Sequence, residues 1–204
     1  MVLFFGYRFN DRVNFVTEVE FEHVKEVYVE QAFVNYKIAE PISLRAGLML
    51  IPMGIQNEYH EPTTFNGVER TNIDHDIVPT TWRELGLGFT GNIDGLSLKY
   101  QVYAVNGFLG YDHDNGGGKL RGKDSFRKGR QKGAESTMST PNLSAKIDFY
   151  GIKGLKVGLA GYFGNTQSTL YDGLMNNDTT SLSAQADSSV VGMCIPELIT
   201  TKYN

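Results

Sequence analysis

The chain has 204 residues, 41% hydrophobic and 21% charged, with a formal charge of −4 and a single cysteine. That length supports one domain or two small ones with a sizeable core. A lone Cys194 excludes a disulfide framework and a multi-cysteine zinc site, and mild acidity argues against a nucleic-acid partner, which calls for a basic surface. No apolar run approaches the roughly 18–20 residues of a membrane helix; the uncharged stretch Ala46 to Asn57 is broken by Gly and Pro. Membrane β-barrels stay open, because alternating strands keep mean hydropathy low.

Composition leans toward sheet: 23 glycines, 12 phenylalanines and 11 tyrosines are the materials of turn-rich, aromatic strands. The first residues, Met1-Val2-Leu3-Phe4-Phe5-Gly6, place no Lys or Arg before a short apolar run, so no signal peptide is expected there. Period-two alternation then recurs along the chain. Leu3, Phe5, Tyr7 and Phe9 share one parity, as do Val13, Phe15, Thr17, Val19 and Phe21. Val27 to Lys37 mixes both parities and reads as an ambiguous strand. Ile42, Leu44, Ala46, Leu48 and Leu50 alternate with polar or small partners. After a long interruption the pattern resumes at Leu85–Phe89, Leu96–Ala104, Leu143–Phe149 and Leu155–Phe163. Eight strands of barrel-spanning length are predicted, with Leu98 near the middle of its strand. Val190 to Asn204 does not alternate, and no strand is expected there.

The connections alternate in length. Asn10–Arg12, Ala39–Pro41, Asn92–Gly95 and Gly151–Gly154 carry tight-turn chemistry. The intervening links are the short His23–Glu26, then 51–81, 107–142, and everything after Gly164. An all-β, antiparallel up-and-down transmembrane barrel or partial barrel has this arrangement, with short periplasmic turns and long external loops. A soluble antiparallel sandwich also alternates, but its long loops need not share one edge. A closed barrel of eight strands would be filled by its own side chains instead of holding a channel. The chain is therefore read as a single β-barrel domain over 1–204, part of a larger barrel.

One stretch carries a family resemblance. Leu50-Ile51-Pro52-Met53-Gly54 ends a strand in a Pro-x-Gly step, and Pro79-Thr80-Thr81-Trp82-Arg83-Glu84-Leu85-Gly86 opens the next. These motifs, with the strand order from Tyr7 to Gly164, resemble the Gram-negative outer-membrane porins related to the phosphate-selective porins. The resemblance implies a location in the outer membrane, contact with its lipid and lipopolysaccharide, passage of small hydrophilic solutes or ions, and a homotrimer of sixteen-stranded barrels. The eight strands read here amount to part of such a barrel.

Lumen-facing parity collects Arg8, Arg45, Lys99, Lys146 and Lys156 with Glu18, Glu20, Glu22, Glu84 and Asp148. Five charges of each sign suit a hydrated pore wall, or equally the wet face of a soluble sheet. The insertion 51–81 holds Glu58, His60, Glu61, Glu69, Arg70, Asp74, His75 and Asp76. Folded inward, it would form a constriction whose five acids, opposed by one arginine, disfavour anions. The plainer alternative is a loop packed on the wall. No metal site is expected, because the spacing of these His and Asp residues matches no zinc or calcium pattern. Within the loop 107–142, the stretch 119–132 carries Lys119, Arg121, Lys123, Arg127, Lys128, Arg130 and Lys132 with only Asp124 opposing, a basic patch suited to gathering anions or lipopolysaccharide phosphates at the external mouth. No nucleophile elbow, P-loop or Cys–His motif is present. His113 between Asp112 and Asp114 is the nearest catalytic fragment, and neither an enzyme nor a cofactor is expected. The runner-up function is a plugged barrel that binds through its long loops.

Overall fold

A computed structural model describes residues 1–22, 25–58, 79–112, 117–120, 126–133, 136, 138, 141–168 and 190–200. Nine strands form one sheet in the order β1 (Val2–Arg8), β2 (Val13–Glu22), β3 (Glu26–Ala39), β4 (Ile42–Leu50), β5 (Arg83–Ile93), β6 (Leu98–Val105), β9 (Asn142–Ile152), β10 (Leu155–Asn165) and β12 (Val190–Thr200). Every neighbouring pair is antiparallel. The sheet is up-and-down and open, with β1 and β12 at its edges among the described residues. A second, three-stranded sheet joins β7 (Leu109–Asp112), β8 (Gly117–Gly118) and β11 (Gln167–Ser168). Between β4 and β5 the chain forms the short helix α1 (Ile55–Glu58).

All eight predicted strands lie in the large sheet, several of them longer than alternation suggests. Asn92 and Ile93 extend β5, and Gly151 and Ile152 extend β9, so the turns shrink to 94–97 and 153–154. Two expectations are corrected. Val190–Thr200 forms β12, in continuous register with β10 from Leu155↔Thr200 to Asn165↔Val190. Edge pairing is supplied by the neighbour's backbone, so it needs no alternating pattern of its own. Leu98 opens β6 instead of centring it, because Asp94–Leu96 closes a 3₁₀ turn and Ser97 sits in the left-handed region at φ 51°.

Strict antiparallel order puts the tight links 9–12, 40–41, 94–97 and 153–154 at one end of the sheet. The links 51–82, 106–141 and 166–189 fall at the other. The ambiguity of β3 also has a structural cause. Its pairing with β2 slips at Glu30, between Glu18↔Gln31 and Val19↔Val29. An extra residue inverts side-chain parity: Val29 shares the face of Val19, while beyond the bulge Ala32, Val34 and Tyr36 take it over.

The two faces differ sharply. One register row reads Tyr7, Phe15, Val34, Ala46, Leu87, Ala104, Leu143 and Phe163 across eight strands, and the next reads Val13, Tyr36, Leu44, Phe89, Val102, Ala145 and Gly161. The large side chains of this apolar face are exposed, with Leu87 and Leu159 at 56% and Ile147 at 53%. A row of the opposite face reads Arg8, Asn14, Asn35, Arg45, Gly88, Tyr103, Ser144 and Tyr162. Here burial is high: Glu84 is 0% exposed, and Lys146 and Asp148 are each 1% exposed. The hydrophobic core is a local cluster on this polar face, where Ile51, Met53, Trp82, Phe108 and Tyr162 pack near the long connections.

Candidate functional site: the polar face and the inserted segment

The polar face gathers most of the charged residues expected to line a lumen. Register and contacts put Arg8, Glu18, Glu20, Arg45, Glu84, Lys99, Lys146, Asp148 and Lys156 on it. The side chain of Glu22 lies outside the described residues. The charges fall into three zones along the strands.

At the tight-turn end the face is basic. Arg8 pairs with Asp11 at 2.7 Å and Lys37 with Glu40 at 2.6 Å, both exposed. Arg45 Nε donates to Asn35 Oδ1 at 2.8 Å, and its guanidinium lies 4.2 Å from the centre of the Phe33 ring. Arg8, Asp11, Asn35, Lys37 and Arg45 border a cavity of about 490 Å³, whose lining has Arg12 as a fourth cation and Asp11 as its one carboxylate. Glu18, nearer the other end of β2, accepts from Gln31 Nε2 at 2.6 Å.

The middle zone is a chain of ion pairs. Lys146 Nζ donates to Glu58 Oε2 and lies 3.8 Å from Asp148, which Lys156 approaches to 3.0 Å. Gln101 Nε2 donates to Glu58 at 2.8 Å, and the Tyr103 hydroxyl donates to Gln101 Oε1 at 3.0 Å. Burial by itself would raise the Glu58 carboxyl, but the Lys146 ammonium and the Gln101 bond together hold it below its ordinary range. Glu58 is the one described member of the acidic set in the insertion, and it is folded onto the polar face. His60, Glu61, Glu69, Arg70, Asp74, His75 and Asp76 lie outside the described residues, as do His113, Arg121 and Lys123.

The third zone anchors both ends of the insertion. Asn57 Nδ2 donates to the carbonyls of Ile51 (2.7 Å) and Trp82 (3.1 Å), and Asn57 Oδ1 accepts from Trp82 N–H at 2.7 Å. One buried amide thus ties the exit of β4 to the entry of β5, which carries the Pro-x-Gly and Trp-x-Glu steps. Gly54, at φ 76°, turns the chain into α1 between them. Glu84 accepts from Trp82 Nε1 at 3.3 Å, from Asn106 Nδ2, and from Gln131 N at 3.1 Å. Trp82 stacks on Phe108 at 4.6 Å between centroids, and Phe108 on Phe126 at 5.3 Å. Asn57, Gln101, Asn106 and Gln131 escaped the sequence reading. A neutral amide carries no signal in the sequence until the fold shows which groups it satisfies.

Chemically, this face can hold water, orient ions and exchange hydrogen bonds with polar solutes. Among the described residues no group of three metal-ligating side chains converges. No helix among them is long and apolar enough to cross a membrane, which says nothing about strands.

No protein-family model matches the chain, and no solved structure matches it. The chain is 35% identical over 190 residues to an uncharacterized protein of Aquifex aeolicus (strain VF5), a match that takes in 89% of this chain and spans 40% of the length of that relative.

Proposed function

We propose that the chain forms part of the wall of an outer-membrane porin, related to the phosphate-selective group, through which small hydrophilic solutes or ions diffuse passively. One observation carries the reading: the apolar side chains of successive strands share the exposed face, and most of the charged ones share the opposite face. In water that arrangement would leave rows of Leu, Ile, Val and Phe solvated, whereas a soluble monomer seldom exposes a large contiguous apolar surface. In a bilayer the same rows meet hydrocarbon, and the polar face meets the lumen. The strands of the large sheet run from 7 to 14 residues, around the roughly 9–11 that a tilted membrane strand needs. Strands at both edges of the open sheet would be continued by further strands of the barrel. Such a wall supplies a path and an electrostatic filter, so no residue has to perform chemistry.

A second reading, a plugged barrel that binds through its loops, is favoured by the dense packing of Ile51, Met53, Trp82, Phe108 and Tyr162 over the polar face. Planar-bilayer recording on the purified protein separates the two. Discrete current steps of stable size support the porin. Insertion without current transfers the function to the plugged barrel, and a water-soluble protein that never inserts refutes both.

A further inference from the structure

Helix α1 is tied to the strands beneath it through one charged side chain. Among the described residues, the hydrogen bonds from its side chains to β6 and β9 all involve Glu58, whose carboxylate accepts from Gln101 Nε2 at 2.8 Å and from Lys146 Nζ. Asn57 bonds instead to the backbone at Ile51 and Trp82, where the chain leaves β4 and enters β5. Gln56 Oε1 is buried without a partner among the described residues. The two anchors therefore differ in kind. The Asn57 amide is neutral and does not titrate, whereas the grip of Glu58 on Lys146 is an ion pair that exists only while the carboxyl is ionised.

Lys146 has a second acceptor within reach. Its Nζ stands 3.8 Å from Asp148 Oδ1 on the same strand. Neither Asp148 oxygen has a hydrogen-bond partner among the described residues, although Lys156 Nζ on β10 approaches Oδ2 to 3.0 Å. Lys146 and Asp148 are each 1% exposed, so an ammonium that loses Glu58 must find its next acceptor inside the site. The other charged or titratable groups that face Glu58 are Lys99 and the Tyr103 phenol on β6, with Arg45 on β4 beyond Tyr103. Burial works to raise the Glu58 carboxyl; the Lys146 ammonium, its hydrogen bond, the Gln101 bond and then Lys99 bring it below 4.5.

We propose that Glu58 is an acid-released latch on α1. While ionised, it pins the last residue of the helix to Lys146 and Gln101 across the polar face. When its carboxylate takes up a proton from solvent, Lys146 passes to Asp148, and the end of α1 lifts from β6 and β9. The three bonds of Asn57 are unaffected by the proton, so the junction between β4 and β5 stays closed while the helix end moves. Because the carboxyl is held low, the latch is shut at neutral pH and opens only as pH falls below 4.5. The inference rests on the porin reading for its consequence, a lumen that widens in acid.

The test records single channels in planar bilayers from neutral pH to below 4.5 and, in parallel, times thiol labelling of Gln101→Cys in a Cys194→Ser background at neutral pH. The parent should show one conductance level at neutral pH and a larger one below 4.5, and Glu58→Gln should show the larger level throughout. Glu58→Gln should also speed labelling at position 101, the site of its wall contact, about 10-fold. Asp148→Asn lacks the second acceptor and should move the acid step to lower pH, the opposite of what a merely loosened fold would do. A parent conductance that ignores pH, a Glu58→Gln channel that keeps the step, or unchanged labelling overturns the latch. An Asp148→Asn step at the parent's pH or above overturns it as well. Insertion without current, with labelling still accelerated by Glu58→Gln, refutes the porin reading and leaves the latch standing.

Discussion

Arginine placed at Leu87 tests which solvent the apolar face meets. Leu87 lies near the middle of the 11-residue strand β5, is 56% exposed, and has Ala46 and Ala104 as its cross-strand partners. Its register row from Tyr7 to Phe163 contains no charged residue, so an introduced guanidinium would find no carboxylate within that row. If hydrocarbon covers this face, Leu87→Arg should cost about 2–4 kcal/mol, and Ile93→Arg, at the turn end of the same strand, about 0–1 kcal/mol. If water covers it, both substitutions are exposed surface changes worth about 0.5 kcal/mol or less. Denaturant unfolding in phospholipid vesicles measures the difference. Trp82 is the only tryptophan and is fully buried, so its fluorescence reports the transition without labelling. Equal small losses at the two positions would refute the lipid-facing assignment of β5.

The polar face yields further expectations. Lys146→Met takes the paired ammonium from Glu58 in a largely buried site and should cost about 3–5 kcal/mol, of which adding Glu58→Gln recovers part in a double-mutant cycle by unfolding. Glu58 is held below its ordinary value of 4.5, so its contribution is complete above that pH and is lost as pH falls through the lower folded value. The difference in unfolding free energy between the parent and Glu58→Gln, measured by denaturant unfolding over a series of pH values, should therefore be constant above about 4.5 and shrink only below it. Asn57→Ala removes its three side-chain bonds to Ile51 and Trp82, leaves only the backbone bond from Ile51 N–H to the Trp82 carbonyl, and leaves the buried Trp82 N–H unsatisfied; a loss of about 2–3 kcal/mol and a red-shifted emission are expected. Gly47→Ala meets both an unfavourable φ of 137° and the Ala32 carbonyl 2.3 Å from the new Cβ, so a loss of about 1–3 kcal/mol should appear in the same unfolding assay.

The amino-acid sequence by itself determined eight of the nine strands of the large sheet and, in all of them but β3, their two faces. Period-two alternation survives any tertiary arrangement, because successive Cβ atoms must leave a strand on opposite sides. Leu85, Leu87 and Phe89 could be separated from Glu84, Gly86 and Gly88 on that ground alone, and glycine-rich links marked the tight turns at 153–154 and 94–97. Alternation carries no sign, however: it sorts side chains into two sets without saying which set meets the surroundings. Tertiary structure decided that Leu87 is exposed while Glu84 is covered. It also decided what pairing imposes from outside a segment. β12 is drawn into register by β10, and the bulge at Glu30 exists only because Glu18 faces Gln31 while Val19 faces Val29. The contacts of Glu58 with Lys146 and of Asn57 with Trp82 join residues 88 and 25 positions apart. Such pairs follow from where the chain returns in space, and no local pattern of residues encodes that return.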